Sequence, residues 1–517
     1  MTSADPPLPA ECAAPEAELK HGAISFLDAL VIGLASTSPA YSLAVIIGPV
    51  VALVGVHTPG VVLASFVPML LIASAFYYLN RADQDCGTTF SWVSRAMGPW
   101  FGWIGGWAIA MTGVLVVGSL ADVAVRFGLL TVGLDSWTEN TPLIVGLTVV
   151  VIVAMTALCV IGTDISARFQ NVLILLQVAS LLVFAVVALY RAVVGSSSLE
   201  AQTPSITWLN PFAEGGAALT AGLLLGVFAF WGWESAVNLT EETEDSASAP
   251  GRAGIVSTVV LLATYLSVAY AVVAYAGPDF LTEYEEDPDQ IFAALGTEVL
   301  GGWSWVLLLS VATSALASTQ TTIIPASRTG LSMARRHALP HALARIHPRF
   351  RTPDVSTWLV AGIASAYYVL ANIISENALQ DSISALSLLI AFYYALTGIA
   401  CAVYYRRQLT RSLKNLLLIG VGPVIGSILL IWLLIRSVVD LNDPEASYTG
   451  TAWFGLGPPL VIGLVIFLLG VAIMVFWRLR DARYWRERAG IAPDPVTGDP
   501  APGNPATGGP QSVGVKR

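Results

Sequence analysis

The stretch from Phe228 to Val237, FAFWGWESAV, sets one carboxylate, Glu234, beside a glycine and two tryptophans inside a long apolar run. An ionised carboxylate at bilayer depth costs about 2.5–3.5 kcal/mol or more, so Glu234 must face the protein interior, where it either carries a proton or finds a partner. A second interruption lies in the first apolar run, where Ser36, Thr37 and Ser38 precede Pro39. Pro39 lacks an N–H and its ring clashes with the preceding turn, so a helix unwinds or kinks there.

Unwinding frees backbone N–H and C=O groups, which lipid cannot satisfy, so such a segment is stable only where it lines a polar cavity or meets a ligand. Half-helix N-termini suit a carboxylate, and half-helix C-termini suit an ammonium. A zwitterionic amino acid matches both ends. Either break alone reads as a proline kink or a tolerated glycine; two breaks in register read as a substrate site. For Glu234 a structural role, as a neutral acid bonded to freed backbone, stays open beside any functional one.

The elements that must position these residues are membrane helices. The chain has 517 residues, 55% of them hydrophobic and only 12% charged, with a mean hydropathy of +0.71. Soluble domains carry about 25% charged residues. Twelve runs are long enough to cross a bilayer, at about 26–55, 60–79, 101–129, 143–162, 169–190, 217–238, 255–276, 303–325, 355–374, 383–405, 416–438 and 455–477. The two breaks fall in runs one and six. Five is odd, so repeats of helices one to five and six to ten would cross the membrane in opposite senses.

Arginines collect in alternate loops: Arg328, Arg335, Arg336, Arg345, Arg349 and Arg351 after run eight, and Arg406, Arg407, Arg411 and Lys414 after run ten. The segment from Pro278 to Gly301 has seven acids and no Lys or Arg. The positive-inside rule then predicts both termini in the cytoplasm. Residues 1–22 lack the basic start of a signal peptide and read as a disordered tail, 23–480 as the helical domain, and 481–517, rich in Pro and Gly, as a second tail.

Several function classes are excluded. The net charge of −10 comes from outer loops and tails, and nothing supports nucleic-acid binding. Cys12, Cys86, Cys159 and Cys401 fall outside the acidic loops, so no disulfide framework is expected. His337, His341 and His347 sit in a basic loop without metal-ligand spacing, and no cofactor is expected. No Walker sequence and no nucleophile–base pair is present, which argues against an ATP-driven pump and an enzyme. Glu241, Glu242, Glu244 and Asp245 read as solvated surface, and Asp122 and Arg126, four apart, as a structural pair.

Four segments carry a family resemblance: FAFWGWESAVNLTEETED, DCGTTFSWVSRAMGPWFGWIGGW, SRTGLSMARRHALP and YYALTGIACAVYYRR. Across residues 20–480 the chain resembles the amino acid/polyamine/organocation superfamily of permeases. The resemblance implies an all-α integral membrane protein of the leucine-transporter type, five plus five inverted helices and two more. It implies that Phe228 closes over the ligand and that the backbone of Phe230, Trp231 and Gly232 meets its amino group. The carboxylate would be held around Ser36, Thr37, Ser38, Pro39, Ala40 and Tyr41. There the family usually has a Gly-x-Gly turn, and this chain offers hydroxyls instead. At the place of Glu234 the family links a carboxylate to gating and proton coupling.

Several relatives carry a lysine in helix five, and the alignment puts Gln177 there. The three lysines, Lys20, Lys414 and Lys516, all lie outside the apolar runs. Gly33, Ser314, Ser318 and Thr319 are the corresponding candidates for an ion site, although Ser and Thr are also ordinary packing residues. The resulting expectation is a secondary active transporter of the cell membrane, working by alternating access on an amino acid with a proton or in exchange. A polyamine or amine carrier is the alternative within that class, and a ligand sensor that moves nothing the alternative outside it.

Overall fold

The computed structural model describes residues 19–283, 290–375 and 377–486. Its helices in chain order are α1 (Phe26–Thr37), α2 (Pro39–Val54), α3 (Thr58–Ala82), α4 (Thr89–Met97), α5 (Pro99–Thr131), α6 (Thr141–Ile161), α7 (Thr163–Val194), α8 (Gly216–Ala229), α9 (Ser235–Asn238) and α10 (Ala249–Glu283). They continue as α11 (Ile291–Leu300), α12 (Ser304–Arg335), α13 (Asp354–Ile374), α14 (Ala378–Tyr404), α15 (Leu413–Asn415), α16 (Gly422–Asp440) and α17 (Pro458–Arg480). No named strand occurs among the described residues; two isolated bridges, Ile24 with Thr243 and Trp453 with Leu456, are the whole of the β structure there.

Among the described residues, ten stretches are long and apolar enough to cross a membrane. One of them, Phe26–Ala82, is 57 residues long, roughly 85 Å if straight at 1.5 Å per residue, far beyond one bilayer. It turns back at the short helix Gly55–His57. The sixth run from the sequence is split: α8 has 14 residues, and after an unwound segment only the four-residue α9 follows. The eighth run extends further than its apolar pattern suggested, because α12 continues through Arg335.

The first break is one residue wide. Ser25 caps α1 and forms a reciprocal capping box with Asp28, fixing the start of the helix. At the other end Ser38 takes the left-handed conformation, φ 55° and ψ 66°, and Pro39 begins α2 at once. Proline suits a first helical position, where its missing N–H costs nothing. The second break runs from Phe230 to Glu234, with Gly232 at φ 115°, a region a side chain rarely adopts.

The two breaks pack against each other. A Cβ on Gly232 would lie 2.8 Å from the carbonyl carbon and oxygen of Ser36 and 2.9 Å from the Thr37 nitrogen. One on Gly33 would lie 3.1 Å from the Trp233 carbonyl oxygen. Glycine at these positions lets the two broken helices touch backbone to backbone. Around them a single main apolar core joins α1–α3, α5, α8, α10, α12 and α14.

The tails expected as disordered fall mostly on residues 1–18 and 487–517, outside the described residues. Contacts reach past the boundaries drawn at 22 and 481. Leu19 is buried against Cys86 and Leu331. Tyr484 is fully buried, stacked on Phe90, with its hydroxyl donating to the Pro99 carbonyl at 2.9 Å.

Candidate substrate site

A small cavity of about 10 Å3, room for about one water, sits where the breaks meet, lined by Ser36, Thr37, Ser38, Tyr41 and Ser42 from the first break, Phe228 and Trp231 from the second, Val116 and Leu120 of α5, and Ser318 of α12. Every polar side chain in that wall is a hydroxyl or an indole. The backbone freed by unwinding is largely satisfied by such hydroxyls. Ser318 donates to the Ser36 carbonyl at 2.8 Å, Ser42 to the Thr37 carbonyl at 2.7 Å, and Tyr265 to the Ala229 carbonyl at 2.9 Å. The carbonyls of Phe230 and Trp231 accept no hydrogen bond among the described residues.

Glu234 is 3% exposed and anchors the second break to α14. Its Oε1 accepts the Tyr393 hydroxyl and its Oε2 the Tyr394 hydroxyl, each at 2.5 Å, and Oε2 also accepts the Gly232 N–H at 3.1 Å. Trp231 donates its indole N–H to the Tyr393 oxygen at 2.5 Å, so an aromatic of the cavity wall connects through one tyrosine to the carboxylate. No Lys or Arg pairs with Glu234 among the described residues. Its partners are hydrogen-bond donors, the second of the two solutions that burial allows.

The expected site residues divide. Ser36, Thr37, Ser38, Tyr41, Phe228 and Trp231 line the cavity. Pro39 and Ala40 are buried in the first turn of α2, and Gly232 serves by its backbone contact with Ser36. Phe230 points elsewhere, onto Phe66 and Tyr265 with ring centroids 5.8 and 5.1 Å away. Gln177 lies at the break: its Oε1 accepts from Ser314 at 2.9 Å, and Ser314 is 2.8 Å from the Ser38 hydroxyl. Among the ion-site candidates, Ser314 and Ser318 thus reach the first break, whereas Thr319 donates within its own helix to the Ala315 carbonyl. The Gly33 carbonyl accepts the Thr37 hydroxyl at 2.9 Å.

Sequence reasoning missed Ser42, Tyr393, Tyr394, Ser119, Val116 and Leu120. Ser119 is 2.9 Å from the Tyr41 hydroxyl and fixes that ring beside the cavity. The only signal for the tyrosines was their adjacency in YYALTGIACAVYYRR, which also fits interfacial aromatics.

One expectation is overturned. Glu242 is not solvated surface: it is 1% exposed and its Oε1 accepts Nε of Arg328, itself fully buried, at 2.7 Å. Glu241, half-buried, pairs with Arg335 at 2.9 Å and accepts the Cys86 N–H at 3.0 Å. Arg328 and Arg335 are seven apart on one face of α12, so two consecutive acids meet two successive arginines. The reason is packing: the chain before α1 runs beside the chain after α9, with the Ile24 N–H bonded to the Glu242 carbonyl at 3.1 Å and the Glu244 N–H to the Ile24 carbonyl at 2.9 Å. This layer closes the arginine-rich end of the protein below the cavity.

Asp85, Cys86 and Glu241 bring three possible metal-ligand atoms within 4.8 Å. Ser332 donates to Asp85 at 2.6 Å and Arg335 holds Glu241, so the group is part of the same closing layer. Burial and the neighbouring acids Glu241 and Asp85 push the Cys86 thiol well above its usual range. Asp122 and Arg126 pair as expected, at 2.7 Å, and Tyr368 donates to Asp122 at 2.6 Å.

A family model described as amino acid permease matches residues 24–477. An uncharacterised transporter of Mycobacterium tuberculosis is 28% identical over 72% of this chain and 78% of its own length. The human Asc-type amino acid transporter 1 is 28% identical over 52% of this chain and 47% of its own length. The low-affinity putrescine importer PlaP of Escherichia coli is 23% identical over 76% and 83%. Among solved structures, a manganese transporter of Eremococcus coleocola, as its H236A mutant, aligns with a TM-score of 0.51 at 14% identity, covering 88% of this chain and 94% of that one. That likeness is one of fold, the leucine-transporter type.

Proposed function

The chain belongs to the amino acid permease family and is a multi-pass membrane transporter of that family, and on that premise we propose that it carries a small, uncharged amino acid through the cavity where its two helix breaks meet. The observation that carries this reading is the chemistry of the wall. Six hydroxyl-bearing residues, Ser36, Thr37, Ser38, Tyr41, Ser42 and Ser318, line it, and Val116, Leu120, Phe228 and Trp231 supply apolar surface; no Asp, Glu, Lys, Arg or His lines it. Hydroxyls and the start of α2 suit a carboxylate, and the unpaired carbonyls of Phe230 and Trp231 suit an ammonium. The apolar residues suit a short side chain.

A polyamine is the second reading, favoured by the relationship to a putrescine importer. It needs an acceptor for a second ammonium. The nearest acid in the chain to Trp231, Glu234, already accepts three hydrogen bonds, which favours the amino acid.

Transport proceeds by alternating access in this reading, with the four-helix bundle that contains the two broken helices, α1–α2 and α8–α9, rocking against the rest, as symport with a proton or as exchange. Gln177 stands where an ammonium stands in several relatives, and Glu234 is the acid placed to couple a proton to the Trp231 wall through Tyr393. The protein lies in the cell membrane with both ends in the cytoplasm, so the Arg328–Glu242 layer is the inner gate. The test is competition: purified protein binding a labelled neutral amino acid, challenged with other neutral amino acids, with basic ones and with putrescine. Displacement by the neutral set alone supports the reading, and displacement by putrescine alone replaces it with the polyamine one.

A further inference from the structure

A second cavity, of about 500 Å3, opens at the end of the helices away from the arginine-rich loops. Small-molecule sites run from about 300 to 1,000 Å3. Its floor is apolar, from Leu53 of α2, Leu224 and Leu225 of α8, and Leu441. Its rim carries two acids, Asp440 at the end of α16 and Glu445 in the loop beyond, and no Lys, Arg or His is among its lining residues.

The polar groups of this rim are incompletely satisfied. Asp440 uses Oδ1 for Arg436 at 3.3 Å, while its Oδ2 is shielded from solvent and accepts nothing. Ser437, one turn earlier and also in the wall, is 1% exposed with a hydroxyl that has no partner. Glu445 is exposed and forms no ion pair among the described residues. Leaving buried acceptors unmade costs about 1–3 kcal/mol each, and more for charged groups. A ligand that supplies donors there recovers that cost.

We infer that this cavity binds a primary alkylammonium ion, with the ammonium at Asp440 and Glu445 and the hydrocarbon body on Leu53, Leu224 and Leu225. The pair of acids selects a cation and repels an amino acid's carboxylate. The apolar floor disfavours a hydrated inorganic cation, which would lose water without gaining ligands. One wall belongs to α2 and α8 and the other to α14, through Ser384, and α16. A bound ion therefore bridges the two sets of helices that move apart in the transport reading. Slowed transport is a consequence that rests on that reading; binding does not.

The probe is 1-adamantylammonium, titrated onto the full chain in nanodiscs of zwitterionic lipid, with thermal stability as the readout and 1-adamantanecarboxylate as the control. The expected result is saturable stabilisation by the ammonium alone, with affinity about tenfold weaker in Glu445→Gln and in Asp440→Asn, as for loss of one charge-assisted hydrogen bond. Ala52→Trp, on the exposed part of the wall, should abolish it by filling the space. No stabilisation, equal stabilisation by the carboxylate, or an undiminished response in all three variants overturns the proposal, the last two by assigning the effect to the lipid. Binding that follows the variants in a protein that moves no amino acid would leave this site standing and remove the transport reading instead.

Discussion

Tyr394 of α14 donates its hydroxyl to the Glu234 carboxylate at 2.5 Å, across 160 positions of sequence. With Tyr393 it ties the unwound centre of one membrane helix to the middle of another. The acid that looked costly in the sequence is thus the splice between an unwound break and a continuous helix, so changes there should report on both stability and the proposed transport.

Removing either phenol leaves Glu234 buried with fewer donors. Tyr394→Phe is expected to lower stability by about 1–3 kcal/mol, and Tyr393→Phe to do the same while also releasing the Trp231 indole. Thermal unfolding in detergent measures the first effect. Uptake measures the second, and Tyr393→Phe should lose more of it than Tyr394→Phe, because only Tyr393 reaches the cavity wall.

Gly232→Ala should separate the breaks. The added carbon would sit 2.8 Å from Ser36 backbone atoms, at a φ of 115°, and strained backbone of that kind costs about 1–3 kcal/mol before the clash is counted. The protein should still insert in membranes, with substrate binding reduced at least about tenfold. Full affinity in this variant would mean that close contact of the breaks is not needed.

Breaking the closing layer from one side should be worse than removing it. Arg328→Met takes from the buried Glu242 the guanidinium it is bonded to, a loss of about 3–5 kcal/mol, whereas the double change Arg328→Met with Glu242→Leu recovers much of it. Cys86 supplies a second readout: buried and pushed above its normal range, it should resist maleimide in the native protein and react in Arg328→Met.

Asp83, just beyond α3, gives a pH signature. Burial raises its carboxyl to about 6 despite the Arg95 guanidinium 2.9 Å away. The folded state then holds this proton more tightly than the unfolded chain, so stability falls as pH rises from about 4 to about 6 and levels off above. Asp83→Asn should flatten that part of a thermal-stability profile.

How much of this was legible follows from how local each signal is. Pro39 after three hydroxyl residues, and Gly232 between tryptophans, announce helix breaks by their own stereochemistry, and their spacing in the helix order set the inverted repeat. Most lining residues on the broken helices followed; Ser42 did not. The tyrosines of α14, Ser119 behind Tyr41 and the Val116 and Leu120 wall did not, because they reach the site from continuous helices whose pattern resembles ordinary packing. Glu242 and Arg328 were hidden by charge: a run of acids and a basic loop read as solvated faces until the fold set them against each other. For Phe230 the sequence marked the backbone at the break, while its ring turns to Phe66 and Tyr265, a packing detail no local pattern announces.

Glu234 deserves one separate expectation. Glu234→Gln keeps the shape of the anchor and removes the titratable group, so the folded protein should transport with a flattened pH dependence. An unchanged pH profile would assign Glu234 to structure alone.

The central claim is that the meeting point of the two breaks moves an amino acid across the membrane. Its most direct test is uptake of labelled neutral amino acids into proteoliposomes holding the purified protein, without sodium, with and without an inward proton gradient or preloaded amino acid. Saturable accumulation driven by the gradient or by exchange, and lost in Gly232→Ala, is the predicted result. Absence of uptake under both conditions by a protein that is folded and inserted would contradict it.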